Sequence, residues 1–308
     1  MEIKKVIITG LGAIGLTYAD KLKNICELKI LADRARVEKY KKNPPMFNGE
    51  ETAFDYILPE DIFSADLIII STKNNGLAAA AENIKNFVSK NTIIISLING
   101  ISSENKLIEK YGKDKVLHSY FIGHSAMRDG NKVIQDGVGK IVFGSPYPEN
   151  IEKVNSLKKF FSENNIDYEN PEDIIYSLWL KYTLNSFSNQ LSALLNMNFG
   201  EMKRSSNFRS LAKSIISEII PIAEREGVNN PENLEADSFK ALDLMIDDGE
   251  TSMLQDFHAG RKSEVDIFSG ELIRLGEKYS VPTPFSKVVY TMIKAAEEGR
   301  ERCSSVAQ

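Results

Sequence analysis

Two sets of residues in this 308-residue chain have the types and spacing for chemistry. The first is GLGAIG at Gly10–Gly15, which follows the β-branched run Lys5–Thr9 and opens an apolar helical pattern from Ala13. In a strand–turn–helix setting Gly10 permits the tight turn, Gly12 lets a pyrophosphate approach the backbone and Gly15 lets the helix pack closely on the strand. The anion then rests on the N–H groups opened by Leu11, Ala13 and Ile14. The second set is Lys181, Asn185 and Asn189 in SLWLKYTLNSFSNQLSALLNMN. Helical residues spaced by four drift only about 40° per step, so these three line one face. Ser177, Ser188, Ser192 and Asn196 share that arc, while Trp179, Leu180, Leu184, Phe187, Leu191 and Leu194 lie mostly elsewhere, as packing residues do.

A solvated helix face is usually built from good helix formers such as Lys, Glu and Gln. This stripe instead carries one lysine among serines and asparagines, which suits a face lining a polar cleft; the alternative is a lysine that extends to bulk water beside incidental polar residues. If a nicotinamide is bound, hydride delivery to a ketone carbon leaves negative charge on the carbonyl oxygen. An ammonium group can stabilise that charge and supply the proton, which is the role open to Lys181. Asn185 and Asn189 can hydrogen-bond a polar substrate without adding charge.

A further constellation, Ser252, Asp256 and Glu264 in TSMLQDFHAGRKSEVDIF, falls on roughly one side of a helix expected over Thr251–Tyr279. Ser252 could hold a substrate carboxylate and Glu264 could accept from a substrate hydroxyl; the alternative is surface pairing of Asp256 with neighbouring basic residues. The cofactor's second distinguishing point is the end of the second strand, where an acidic residue binds a ribose 2′-hydroxyl and an arginine accommodates a 2′-phosphate. ILADRAR offers both, as Asp33 and then Arg34 and Arg36. NADP and NAD both stay open at this point, and Asp33 has the further reading of a helix N-cap.

The elements that must position these residues divide in two. Strand patterns at Lys5–Thr9, Leu28–Ala32, Asp66–Ser71, Thr92–Leu97 and Val116–Ile122 alternate with helical patterns at Ala13–Asn24, Ala78–Val88 and Ser103–Tyr111, the mark of an α/β layer fold. Glycines punctuating Lys132–Gln135 and Lys140–Phe143 predict antiparallel edge hairpins, and a helix over Asn150–Asn164 closes the domain. After Pro171 the β-rich runs vanish, and helices are expected at Asp173–Met197, Phe208–Glu226, Asn233–Asp247, Thr251–Tyr279 and Pro284–Glu298, with Arg300–Gln308 as a tail. The expectation is an α/β fold: an N-terminal Rossmann-type dinucleotide-binding domain over residues 1–170 followed by an all-helical substrate domain over 171–308.

Composition narrows the function. The chain has 38 basic and 43 acidic residues and a net charge of −5, with signs interspersed, so nothing argues for nucleic acid. The longest apolar runs, such as Leu67–Ile70 and Thr92–Ile98, are far short of a membrane helix. Met1 leads through lysines straight into a strand without the apolar segment of a secretory signal, which predicts a cytoplasmic protein. Two cysteines at opposite ends and three histidines, His118, His124 and His258, form no metal-ligand spacing. A small-molecule partner is expected, and a helical second domain is compatible with a homodimer.

In combination the motifs resemble the ketopantoate reductase family. The resemblance is carried in order by the GxGAxG turn, Thr72–Lys73 after a strand, Asn99–Gly100 after the next, RDG at Arg128–Gly130, LWLKYTLNSFSN at Leu178–Asn189, and TSMLQD at Thr251–Asp256 followed by Glu264. It implies a Rossmann domain joined to a helical one and reduction of 2-dehydropantoate, a 2-oxo acid, to pantoate with NADPH on the route to pantothenate and coenzyme A. It implies Lys181 as proton donor, Asn185, Asn189, Ser252 and Glu264 as substrate contacts, and Gly10–Gly15, Lys73, Asn99 and Ala126 as cofactor contacts. Two departures stand out: Asp33 precedes Arg34 where an arginine is common, and Phe199–Gly200 stands where Asn-Gly is frequent. Both point toward similar NAD-dependent D-2-hydroxyacid dehydrogenases acting on other branched 2-oxo acids. A nucleotide-sensing Rossmann protein without turnover is the reading from outside enzymology.

Overall fold

The computed structural model describes residues 1–123, 126–135, 137 and 139–306. It comprises two compact units, Met1–Ile174 and Ile175–Gln308. In the first, strands β1 (Lys5–Thr9), β2 (Glu27–Leu31), β3 (Met46–Phe47), β4 (Glu50–Glu51), β5 (Tyr56–Ile57), β6 (Ala65–Ile70), β7 (Val88–Ser96), β8 (Val116–Gly123), β9 (Ala126–Asp129), β10 (Lys132–Gln135), β11 (Gly139–Gly144) and β12 (Tyr168–Glu169) are interleaved with helices α1 (Ala13–Leu22), α2 (Arg34–Lys42), α3 (Leu77–Asn83), α4 (Ser103–Tyr111) and α5 (Ile151–Glu163). The main sheet runs β12-β11-β8-β7-β6-β1-β2-β5. From β5 to β8 every neighbouring pair is parallel. Counted along the chain those six strands lie in the order 3-2-1-4-5-6, the doubly wound arrangement, with its switch point between β1 and β6.

The sequence forms these strands because residues buried on both faces read as continuous β-branched runs. Leu67–Ile70 and Ile93–Ile95 are wholly buried. Alternate side chains serve opposite faces: Ile8, Leu67, Ile69, Ile93 and Ile95 join Leu16, Leu22, Leu157 and Phe161 in one core. Ile7, Ile68, Ile70 and Ile94 join Leu77, Ala80 and Leu107 in the other. Sequence periodicity misses α2 and the two-residue strands β3, β4, β5 and β12, which are too short to show a period. Of the expected edge strands, Lys140–Phe143 falls within β11, antiparallel to β8. Lys132–Gln135 instead pairs with β9 and β3 in a separate sheet ordered β4-β3-β10-β9.

His118, on β8, is 6 % exposed, and its Nδ1 has no hydrogen-bond partner among the described residues. Burial pushes its pKa from 6.5 down to about 4. Between those values the unfolded chain binds a proton that the folded chain refuses, so stability present above pH 6.5 is lost as pH falls toward 4. The loss is about 3 kcal/mol over that window. Urea unfolding of His118→Leu at pH 7.5 and 4.5 is expected to show a correspondingly smaller pH dependence than the native chain; an unchanged dependence would assign the acid sensitivity to other groups.

The second unit is built from α6 (Ile174–Leu195), α7 (Phe199–Arg204), α8 (Ser206–Arg225), α9 (Leu234–Asp243), α10 (Ser252–His258), α11 (Ser269–Tyr279) and α12 (Pro284–Val306). Glu218, 4 % exposed on α8, accepts from the N–H of Phe285 (2.6 Å) and Ser286 (3.0 Å) and from Ser286 Oγ (2.5 Å), which starts α12. The helix expected over Thr251–Tyr279 is broken. Gly260 takes φ +64°, the N–H of Gly260 donates to Phe257 O and that of Arg261 to Asp256 O, a Schellman termination. The expected tail from Arg300 is also corrected: α12 runs to Val306, and the Arg300 guanidinium lies 3.8 Å over the Phe257 ring and donates to Phe257 O. Among the described residues no helix is long and apolar enough to cross a membrane.

Candidate active site

In the first unit the expected cofactor residues converge on the C-terminal edge of the parallel strands. Gly10 follows β1, Asp33 follows β2, Lys73 follows β6, Asn99 follows β7 and Ala126 opens β9 shortly after β8. At the switch point Gly10 has φ +96°, and a Cβ there would lie 2.7 Å from the Ser71 carbonyl carbon. A Cβ on Gly15 would meet Gly10 O at 1.9 Å. Gly12 differs: its φ is −72°, and among the described residues a Cβ would find nothing nearer than Ser71 O at 3.7 Å. Gly10 and Gly15 are therefore glycines because the turn leaves no room, whereas the side of Gly12 is open. Gly12, the N-cap of α1, has no side chain with which to cap it, and no acidic residue stands in its first turn. That half-buried, uncapped helix start, with Thr72 Oγ1 beside Ser71 in sequence buried and without a hydrogen-bond partner among the described residues, fits the pyrophosphate of a dinucleotide.

The end of β2 is more committed than its sequence suggests. Asp33 caps α2, its Oδ1 accepting the Arg36 N–H at 2.7 Å, while Oδ2 lies 3.6 Å from Arg36 Nε. Arg34 Nη2 meets Glu60 Oε1 at 2.8 Å. Asp33 keeps lone pairs for a ribose hydroxyl, and capping and sugar binding are compatible.

In the second unit Lys181 and Asn185 are half-buried on α6 and Asn189 is 5 % exposed. Trp179, Leu184, Phe187 and Leu191 are buried, as their places off the arc predict. The polar arc is nonetheless mixed in purpose. Ser188 Oγ donates to Leu184 O, which satisfies the helix itself, and Ser192 Oγ lies within bonding distance of both Asn189 O and Thr251 Oγ1. Tyr182, fully buried, donates to Phe268 O at 2.9 Å, and burial drives its phenol pKa far up, leaving it a neutral donor.

Ser252 and Glu264 do not share a helix, so the spacing argument that joined them fails. Ser252 is the exposed first residue of α10, whose N-cap Thr251 accepts the Leu254 N–H and lies 2.6 Å from Ser192 Oγ. Glu264 ends the loop after α10 and is half-buried. Its flank is pinned: the Ser263 N–H donates to Glu297 Oε1 at 2.6 Å, and the following Phe268 and Ser269 are bonded to Tyr182 and Gln190 of α6. Tertiary hydrogen bonds, not helical period, tie Thr251 beside Ser252 and Phe268–Ser269 beyond Glu264 to α6. Asp256 pairs with Arg261 Nε at 2.6 Å, the surface-pairing alternative. Asn198, before Phe199, is occupied in a reciprocal capping box with Glu201.

Residues 6–147 match the family model Ketopantoate reductase PanE/ApbA, and residues 173–297 match Ketopantoate reductase PanE/ApbA C terminal. The chain belongs to the ketopantoate reductase family. It is accordingly a nicotinamide-dependent oxidoreductase of the class that acts on CH–OH groups. A 2-dehydropantoate 2-reductase of Aquifex aeolicus is 28% identical over 303 residues, covering 96% of this chain and 97% of that protein. Among solved structures, D-mandelate dehydrogenase with NADH and anilino(oxo)acetate superposes with a TM-score of 0.84 at 24% identity, over 96% of this chain and 99% of that one. A putative 2-dehydropantoate 2-reductase from Enterococcus faecalis gives 0.73 at 26%, with the same coverage.

Sequence reasoning missed Ser71, whose backbone forms the wall against Gly10, and Thr251, which ties α10 to α6. It also missed Glu60, which sits 26 residues from its partner Arg34 after a two-residue strand. Only Thr251 carried a local signal, as a threonine just before a helical run.

Proposed function

We propose that this protein reduces 2-dehydropantoate to (R)-pantoate, with NADPH as the donor the family resemblance implies and NADH as the donor Asp33 favours. The observation that supports this reading best is Lys181 on α6, half-buried at the head of a face that continues through Asn185 and Asn189. When bound, a reduced nicotinamide would supply the hydride taken up at the substrate C2. Gly10–Gly15 and the open start of α1 would hold its pyrophosphate, and Lys73, Asn99 and Ala126 would complete the cofactor edge. As the C2 oxygen gains charge, the Lys181 ammonium stabilises it and gives up its proton there, so the 2-oxo acid leaves as a 2-hydroxy acid and Lys181 is reprotonated from solvent. Asn185 and Asn189 orient the polar groups of the substrate, Ser252 holds its carboxylate and Glu264 accepts from its hydroxyl.

A second reading, reduction of another branched 2-oxo acid, is favoured by one observation. Asn198 is consumed in capping α7 and the next position is Phe199, which removes a polar contact and adds an apolar one. Assays of 2-dehydropantoate and 2-oxoisovalerate, each with NADPH and NADH, separate the two. The expected result is the higher kcat/KM on 2-dehydropantoate. A strong preference for 2-oxoisovalerate with NADH would replace the substrate assignment, and nucleotide binding without turnover of either acid would replace the enzymatic one.

A further inference from the structure

Glu60 lies outside every motif that carries the dinucleotide reading, yet among the described residues it is the side chain that engages the Arg34 guanidinium. The register of β1 and β2 pairs Thr9 with Leu31, so the residues that follow each strand, Gly10 and Ala32–Arg34, emerge side by side. In a doubly wound sheet this is where the adenosine ribose is read. β5 is next in the sheet, with Leu31 beside Ile57 and the Ala32 N–H donating to Ile57 O. The turn after β5 therefore reaches the same edge.

That turn is fixed. Asp61 Oδ2 accepts the Leu58 N–H at 2.9 Å, the Asp61 N–H donates to Leu58 O at 3.0 Å, and Asn86 Nδ2 donates to Pro59 O at 2.8 Å. Pro59 suits the first corner of such a turn, and Glu60 is the second. Its carboxylate meets Arg34 Nη2 at 2.8 Å, while Arg36 is matched by Asp33. Each of the two guanidinium groups is thus matched by a carboxylate, and Asp61 adds a further negative charge beside Glu60. A guanidinium binds phosphate best through a free two-pronged edge, and a 2′-phosphate placed here would share Arg34 with Glu60 and be repelled by it and by Asp33. A neutral 2′-hydroxyl meets neither obstacle.

We propose that Glu60 is a specificity-determining residue for the cofactor: by occupying Arg34 it suppresses the advantage of the 2′-phosphate, so that NADH and NADPH bind with similar affinity. The inference rests on the dinucleotide-binding reading of Gly10–Gly15 and is independent of which acid is reduced. Nucleotide fluorescence titrations of the full-length protein with NADPH and with NADH test it without any turnover. Glu60→Gln is expected to lower the Kd for NADPH on the order of tenfold at low salt while leaving that for NADH within about twofold, and the gain should shrink as ionic strength rises. In an Arg34→Ala background the same substitution should lose most of its effect. A ratio of the two Kd values that Glu60→Gln leaves unchanged, or a native chain that already prefers NADPH by about a hundredfold, would overturn the role of Glu60. Binding of both nucleotides with an unaltered ratio leaves the dinucleotide reading standing, whereas binding of neither removes both.

Discussion

Lys181→Ala is expected to lower kcat on the preferred 2-oxo acid by about a hundredfold to ten-thousandfold, the range over which a positioned proton donor contributes. The loss should appear in kcat more than in KM, because the charge that Lys181 meets develops only as hydride arrives. Lys181→Arg is expected to recover little: a guanidinium keeps a positive charge but does not release its proton near neutral pH. Lys181 is half-buried on a helix whose other positions carry the packing, Phe187 and Tyr182 among them. Both variants should therefore unfold within a few degrees of the native chain, and calorimetry beside the kinetics separates chemistry from folding. Near-normal kcat in the alanine variant would end the proton-donor assignment and move the role to another donor.

Gly12→Ala and Gly15→Ala should fail in different ways. At Gly12 the backbone is in an ordinary region and a methyl group finds Ser71 O no nearer than 3.7 Å, so the folded state tolerates it at a cost of about 1 kcal/mol or less. The same methyl occupies the space in which a pyrophosphate must approach the N–H groups of α1, and nucleotide affinity is expected to fall by roughly tenfold to a hundredfold. At Gly15 the methyl would overlap the Gly10 carbonyl, so α1 must move off the turn and both stability and binding suffer. Thermal unfolding with nucleotide titration reads both effects. A Gly12→Ala protein that melts normally and binds nucleotide normally would show that the turn is not a phosphate cradle.

Much of this organisation was legible because it is local. A strand buried on both faces must be continuously apolar, which marks β6 and β7, and a phosphate turn between strand and helix leaves glycines at fixed intervals. The arc of Lys181, Asn185 and Asn189 follows from helical geometry alone. The same reasoning erred where a local rule was stretched beyond its range. Ser252 and Glu264 were joined by an assumed helix that Gly260 ends, and Ser188 and Ser192 looked like cleft residues although the Ser188 hydroxyl closes on its own helix and that of Ser192 on its helix and Thr251.

The sequence by itself determined the doubly wound half, the helical half and the residue types that a hydride-transfer site requires, since each depends on patterns within about twenty neighbouring positions. Tertiary structure alone decided which of those residues meet. The Arg34–Glu60 pair, the Ser192–Thr251 link and the Tyr182–Phe268 bond join positions 26, 59 and 86 residues apart. No periodicity in a chain encodes such encounters, because they are set by the order of strands in a sheet and the packing of helices, and those follow from burying all the apolar faces at once.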